Sequence, residues 1–394
     1  MRIRDTVSIA DLRMLASRRT PNFIFQPVEE GTESGRGQRA NVDAFARRVL
    51  VPRVAEEPVT ADLSTTVFGR RYAAPLGISA IGYAGKMWPG ADRALAEAAV
   101  AADLPFMLSM GTVADIESIT RLAPGRVWQQ LYAARNPRIT DEFIGRARDC
   151  GVDVLVHTVD MPVSPAPDYV SRTGIRPPLP LPLARLPGIA WECLTHPAWT
   201  MAMARVGRVP RLEGWARYVG QRASARDVLK FVGGQMISGA GWREVERIRR
   251  AWPGKLVVKG LLCGADVARA HAVGADAVTV SNHGGNKLDA AIASLDALDA
   301  IVGAMAEAER PLLFFDGGIR CGSDAAIAHA SGAAFNFVGR AALYGVLAGG
   351  SAGALKAVEL LKGELARSLL HLGVASVDQV GPSHVRPAHS PDRP

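Results

Sequence analysis

Eight short apolar runs, separated by alanine-rich amphipathic stretches, restrict what this chain can fold into more than any other feature. They fall at 75–80, 105–110, 126–132, 152–160, 255–260, 277–283, 311–318 and 335–340. Apolar residues recur at helical spacing between them, at 91–102, 139–150, 242–251, 265–272 and 323–330. Short β-branched runs bounded by turn residues read as buried strands, and a 3.6-residue apolar period reads as helix. Strand–helix units repeated eight times in one direction predict a (β/α)8 TIM barrel of the α/β class. A doubly wound open sheet is the competing reading. It is disfavoured because no G-x-G-x-x-G follows the first run.

The chain outside this rhythm divides simply. Residues 1–40 are expected to form an N-terminal helical cover, with a helix at 8–17 and then a loop. The barrel is expected over 41–380. The 95 residues between Asp160 and Leu256 are about three times what a βα connection needs, so 161–240 is expected to be an insertion or lid after strand 4. Within it, 183–206 is apolar with interspersed basic residues. Packing across the barrel mouth is the favoured reading, and peripheral attachment to a membrane surface is the alternative. The Pro/Ser/Arg-rich end, 381–394, is expected to be a disordered tail.

Composition narrows the partners. The net charge is +8, but the arginines are spread along the chain and not interleaved with aromatics, which argues against nucleic acid. Four cysteines without C-x-x-C spacing argue against a zinc site or a disulfide framework and suit a cytoplasmic protein. The charged first twenty residues predict no signal peptide, and the absence of an 18-residue apolar run predicts no membrane-spanning helix.

Barrels carry their chemistry at the C-terminal ends of the strands. Lining up those ends collects Gln130 and Tyr132, Thr158 and Asp160, Lys259, Ser281 and His283, Asp316-Gly317-Gly318-Ile319-Arg320, and Gly339-Arg340. The glycine-rich ends of strands 7 and 8, with Arg320 and Arg340, predict a phosphate site at helix N-termini. Lys259 can hold negative charge on a bound ring. His283 can act as a base near neutral pH, with Asp160 to orient it.

These residues also resemble a known family. Val258-Lys259-Gly260, Ser281-Asn282-His283-Gly284-Gly285, Asp316–Arg320 and Val338-Gly339-Arg340, in this order, resemble the FMN-dependent 2-hydroxy-acid oxidases and dehydrogenases, which act on substrates such as glycolate, lactate and mandelate. Trp88-Pro89, Gln130-Leu131-Tyr132 and Thr158-Val159-Asp160 fit as well. The resemblance implies an FMN-dependent oxidoreductase. Gln130, Thr158 and Ser281, with Ser109, would bond the flavin ring, and Ala80, Ile81 and Gly82 would face its reactive edge. Lys259 would neutralise the reduced flavin, and Asp316, Gly317, Gly318, Arg320, Gly339 and Arg340 would hold the ribityl chain and phosphate. His283 would remove a proton, with Asp160 and Tyr132 beside it in the catalytic set. The resemblance further implies a small-molecule substrate, an electron acceptor (oxygen, a quinone or a redox protein) and a homo-oligomer, often a tetramer.

The departures concern the substrate. The family follows its histidine and glycines with an arginine that clamps a carboxylate; here Asn286 stands in that place. An R-R-E-R-D pattern after strand 4 is replaced by Ala166-Pro167-Asp168, with Arg172 nearby, and an F-D-Y-Y pattern by Phe25-Gln26-Pro27. Asparagine cannot supply a bidentate charge. With Tyr132, Asn286 and His283 facing the substrate, the leading expectation is a bulky or carboxylate-free alcohol or amine. Gly-Gly-Asn after the histidine resembles the pre-mycofactocin synthase branch, which oxidises such a substrate. The alternative is a mandelate-like 2-hydroxy acid with a rebuilt clamp, since Cys193-Leu194-Thr195-His196-Pro197 resembles mandelate dehydrogenases. A catalytically silent flavin-binding protein and an FMN-free phosphate-sugar barrel are further readings. An inert binder would have no use for a base such as His283.

Overall fold

A computed structural model describes residues 2–53, 60–163, 168–175, 182–220, 222–236 and 241–388. All eight apolar runs form strands: β1 (Leu76–Ile78), β2 (Phe106–Leu108), β3 (Val127–Leu131), β4 (Val154–Thr158), β5 (Lys255–Leu261), β6 (Ala277–Val280), β7 (Leu312–Asp316) and β8 (Phe335–Val338). They pair in parallel in sequence order, and β8 returns to β1, closing the barrel.

Side-chain alternation along each strand builds this interior in two tiers. The lower inward positions are apolar: Met107, Trp128, Val154, Val156, Val257, Phe314, Phe335 and Phe337 form one buried cluster. A hairpin, Thr65–Val67 with Arg70–Tyr72, closes this end. Its Phe68 meets Trp128 and Phe314 with ring centroids 5.7 Å apart. Two residues further along the strands the inward side chains turn polar: Ser79, Ser109, Gln130, Thr158, Lys259, Ser281 and Asp316, all buried. The apolar tier is a sealed plug; the polar tier is the floor of whatever binds above.

The N-terminal region is more helical than its sequence suggests. α1 (Ile9–Arg19) covers the expected helix, but α2 (Asn22–Glu29) and α3 (Arg36–Ala46) occupy the expected loop. α2 forms despite Pro27 because it buries Phe23, Ile24, Phe25 and Val28; such burial outweighs weak intrinsic propensity. The chain end also differs from the expected disorder: Val385–Pro387 pairs antiparallel with Arg48–Leu50. Residues 389–394 of that tail lie outside the described residues.

One helix, Arg340–His371, is long and apolar enough to cross a membrane on length and composition alone, but 67% of its apolar window is buried in the protein. It follows β8 and packs on α1 and on the helix Ala91–Ala102.

Between β4 and β5 the described chain is helical, at Asp168–Thr173, Leu186–Thr195, Pro197–Val206, Glu213–Ala216, Ala225–Gln235 and Trp242–Ala251. Two tryptophans tie it to loops at the barrel mouth. Trp199 donates its ring N–H to Met87 O at 2.8 Å, and Trp215 donates to Met110 O at 3.0 Å. Leu183, Trp191, Leu194 and Met201 are exposed.

Candidate active site

The polar tier is wired across strands. Lys259 Nζ donates to Ser281 Oγ at 2.7 Å and pairs with Asp316, which also accepts from Ser281 and, at 3.1 Å, from Ser79. Both charged side chains are at least 90% buried, so each depends on the other for solvation. Gln130 links the neighbouring strands: its Nε2 donates to Thr158 Oγ1 at 3.1 Å, and its Oε1 accepts from Met110 N at 3.1 Å and Ser109 Oγ at 3.4 Å.

His283 sits just above, in a one-turn 3-10 helix, His283–Gly285, that follows β6. Its φ of +58° is uncommon for a side chain larger than hydrogen. α3 holds the turn in place. Asn41 and Asn282 exchange amide hydrogen bonds of 2.7 and 2.9 Å, and Asp289 accepts from Ser34 Oγ at 2.6 Å and Gly37 N at 3.2 Å. Gly285, at φ +77°, touches α3 so closely that a Cβ would lie 2.2 Å from Gln38 N. These glycines serve the docking of α3 as well as the mouth of the site.

His283 Nδ1 lies 2.8 Å from Asp160 Oδ1. Burial would raise the Asp160 carboxyl, but His283, with Lys259 and Lys287 behind it, holds it below the usual aspartate range. An ionised carboxylate only accepts, so Nδ1 carries the proton and Nε2 keeps a free lone pair. Burial also pushes the His283 imidazolium below the ordinary histidine value, against the pull of Asp160, which keeps the ring a base at neutral pH. A bulge in β5 makes room for this pair. Gly260 stands there at φ +107°, and a Cβ on it would lie 2.5 Å from the Asp160 carboxyl carbon.

Tyr132 borders Asp160 and Tyr83, and burial chiefly raises its hydroxyl. Asn286 turns its amide oxygen to Arg340 at 3.3 Å. Arg172 is 78% exposed and paired with Asp168, so it does not swing into the site. Ala166 and Pro167 lie outside the described residues.

At the phosphate end the Arg340 side chain has contacts that the sequence did not signal. The Arg340 side chain donates to the carbonyls of Val28, Gly284 and Glu30, so it ties β8 to α2 and to the His283 turn. What it leaves for an anion is the free backbone N–H groups at the start of Arg340–His371, where Gly339 faces open space. Arg320, beyond Gly317 and Gly318, makes no ion pair with a described residue and lies over the Tyr344 ring of that helix at 5.9 Å.

These residues fit FMN. Among the described residues, nothing accepts from the N–H groups of Ala80, Ile81 and Gly82, which are half-buried beside the polar tier. Unpaired donors, a buried lysine and an anion-ready helix start therefore all lie at the C-terminal ends of the barrel strands.

The comparisons agree. Residues 16–387 match the family model described as FMN-dependent dehydrogenase. The chain belongs to the FMN-dependent dehydrogenase family. It is 33% identical to (S)-mandelate dehydrogenase of Pseudomonas putida over 96% of this chain and 93% of that one. It is equally identical to an L-lactate dehydrogenase of Caulobacter vibrioides, over 95% and 96%. A solved structure of the monotopic membrane protein (S)-mandelate dehydrogenase superposes with a TM-score of 0.91 at 31% identity, covering 97% of this chain and all of that one. This dehydrogenase is thus an FMN-dependent oxidoreductase, which excludes the FMN-free barrel reading.

Sequence reasoning missed three residues at the mouth. Ser79 was visible as the next inward position of β1. Tyr83 and Lys86 follow on the same loop, with the Lys86 ammonium 4.2 Å from the Tyr83 ring and pushed by burial down to about 8. The loop's position gave them no sequence signal.

Proposed function

We propose that this dehydrogenase oxidises the hydroxyl-bearing carbon of a mandelate-like 2-hydroxy acid, with His283 as the base. The observation that carries the reading is the 2.8 Å contact of His283 Nδ1 with Asp160, which leaves Nε2 free above the polar tier. Of the two hydrogens lost as the C–OH becomes C=O, His283 Nε2 takes one as a proton, and Asp160 stabilises the imidazolium that forms; the electron pair and the equivalent of the second hydrogen would pass to the bound flavin. FMN, when bound, supplies the two-electron sink. Gln130, Thr158, Ser281, Ser109 and the 80–82 backbone would hold its ring, with Lys259 offsetting negative charge. Asp316, Gly317, Gly318, Arg320 and the Gly339–Arg340 backbone would hold its ribityl phosphate. Similarity to mandelate and lactate dehydrogenases over nearly the whole chain supports the substrate class.

One observation favours a second reading, oxidation of a carboxylate-free alcohol or amine as in the pre-mycofactocin synthase branch. Asn286 has lost the arginine's charge and faces Arg340. Anaerobic bleaching of the flavin band separates the two. L-lactate, (S)-mandelate or 4-hydroxymandelate should bleach it; bleaching only by an aryl amine or amino-lactam would replace the first reading with the second.

Attachment to the inner face of the cytoplasmic membrane is proposed through the insertion. Its exposed Leu183, Trp191, Leu194 and Met201 stand beside exposed Arg185 and Arg205, a combination suited to an anionic interface, with a quinone or redox protein as the electron acceptor there. The protein should float with anionic vesicles, and W191S/L194S should abolish flotation. A tetramer, as the resemblance implies, would give four times the chain mass in sedimentation.

A further inference from the structure

The site contains two polar groups that lack partners among the described residues, and they are not in contact with each other. Asp160 Oδ2 is buried without a hydrogen bond. Lys287, next to Asn286, forms no hydrogen bond or ion pair with any described residue, although it is half-buried. Its ammonium lies within electrostatic reach of Asp160, Lys259 and His283, groups that come from the ends of β4 and β5 and from the turn after β6. A lysine so placed is unfavourable on its own. It loses water and it faces a second buried cation. Burial lowers its pKa and Lys259 adds to that, while Asp160, too far away to pair, opposes it. The other unpaired lysine at the mouth, Lys86, has the Tyr83 ring for a partner. Lys287 has nothing.

We propose that Lys287 is the anion anchor of this active site, binding the substrate's carboxylate where the family's arginine is replaced by Asn286. The inference rests on oxidation at the His283 face and adds the residue that selects an acid. The ammonium comes from the position after the missing arginine. A point charge replaces a planar fork, so the acid is held by charge and not by bidentate geometry. This explains how the chain can lose an arginine and still take an acid: Asn286 is committed to Arg340, and the charge has moved along the turn by one residue.

The test measures binding, apart from turnover. In H283A loaded with FMN and reduced beforehand under anaerobic conditions, the ligand binds without being oxidised, and calorimetric titration compares (S)-mandelate with mandelamide and L-lactate with lactamide. K287Q should weaken the better-bound acid about tenfold to a hundredfold, the loss of one charge-assisted contact, and leave its amide within about twofold. K287R should retain most of the acid's affinity. Equal effects on acid and amide, or none on the acid, would overturn the proposal, as would a loss of FMN affinity in place of acid affinity. If acids bleach the wild-type flavin yet bind independently of Lys287, the anchor is wrong and the 2-hydroxy-acid reading stands. If no acid binds or bleaches, both fall.

Discussion

The proposed cofactor side and the proposed substrate side of this site are built on opposite principles. On the cofactor side, Lys259, Ser281, Asp316 and Ser79 close a network in which every charge has a partner, all on the ends of barrel strands. On the substrate side, Asp160 Oδ2 and Lys287 are without partners among the described residues, and the residues sit on turns held by α3 and by a β-bulge. Strand ends are fixed by the barrel, so a saturated network there sets a rigid floor. Turns can change sequence without unravelling the barrel, so specificity is free to drift there. Asn286 and Lys287 on the turn and the saturated network at the strand ends are consistent with that division.

Breaking each side should therefore give different signatures. On the proposed role of His283 as the base, H283A should lower the rate of flavin reduction by about 10²- to 10⁴-fold. FMN content and thermal stability should stay near those of the wild type, because among the described residues the His283 ring bonds only Asp160. K259M should do the opposite. It leaves Asp316 buried and uncompensated, which costs about 3–5 kcal/mol, so the purified protein should melt earlier and lose FMN. Differential scanning calorimetry and the flavin absorbance per chain check both. A K259M protein that keeps its flavin and its melting temperature would show that the floor is not the stabilising unit described here.

The same division explains what could be read from the sequence. The barrel was legible because eight buried parallel strands must each be apolar, and their helices must carry a 3.6-residue stripe. The polar tier was legible because strand-end positions are fixed by that pattern. α2 was not legible: Pro27 argues against a helix, and only the tertiary burial of Phe23 and Phe25 reverses that. The role of the Arg340 side chain was missed because its acceptors, Val28 O and Glu30 O, are backbone atoms some 310 residues away. Lys287 was overlooked although it is the neighbour of a residue singled out for what it lacked; sequence gives no sign of which way adjacent side chains in a turn point.

Gly260 joins the two sides and offers the smallest and most diagnostic change. It lies in β5 next to Lys259, yet its missing Cβ is what admits Asp160 beside His283. G260A would force an L-residue to φ +107° and crowd the carboxyl carbon, a strain of about 1–3 kcal/mol. The easier relief is for Asp160 to move away. His283 would then lose the neighbour that raises its pKa and keep the burial that lowers it. The acid limb of the flavin-reduction profile should shift to still lower pH, because the ring stays neutral further into acid. The maximal rate should fall about tenfold or less, because the tautomer is no longer fixed. Stopped-flow reduction from pH 4.5 to 8 would record both. A shift of that limb to higher pH would mean that Asp160 does not stabilise the imidazolium, and the pairing of base and orienting carboxylate would have to be given up.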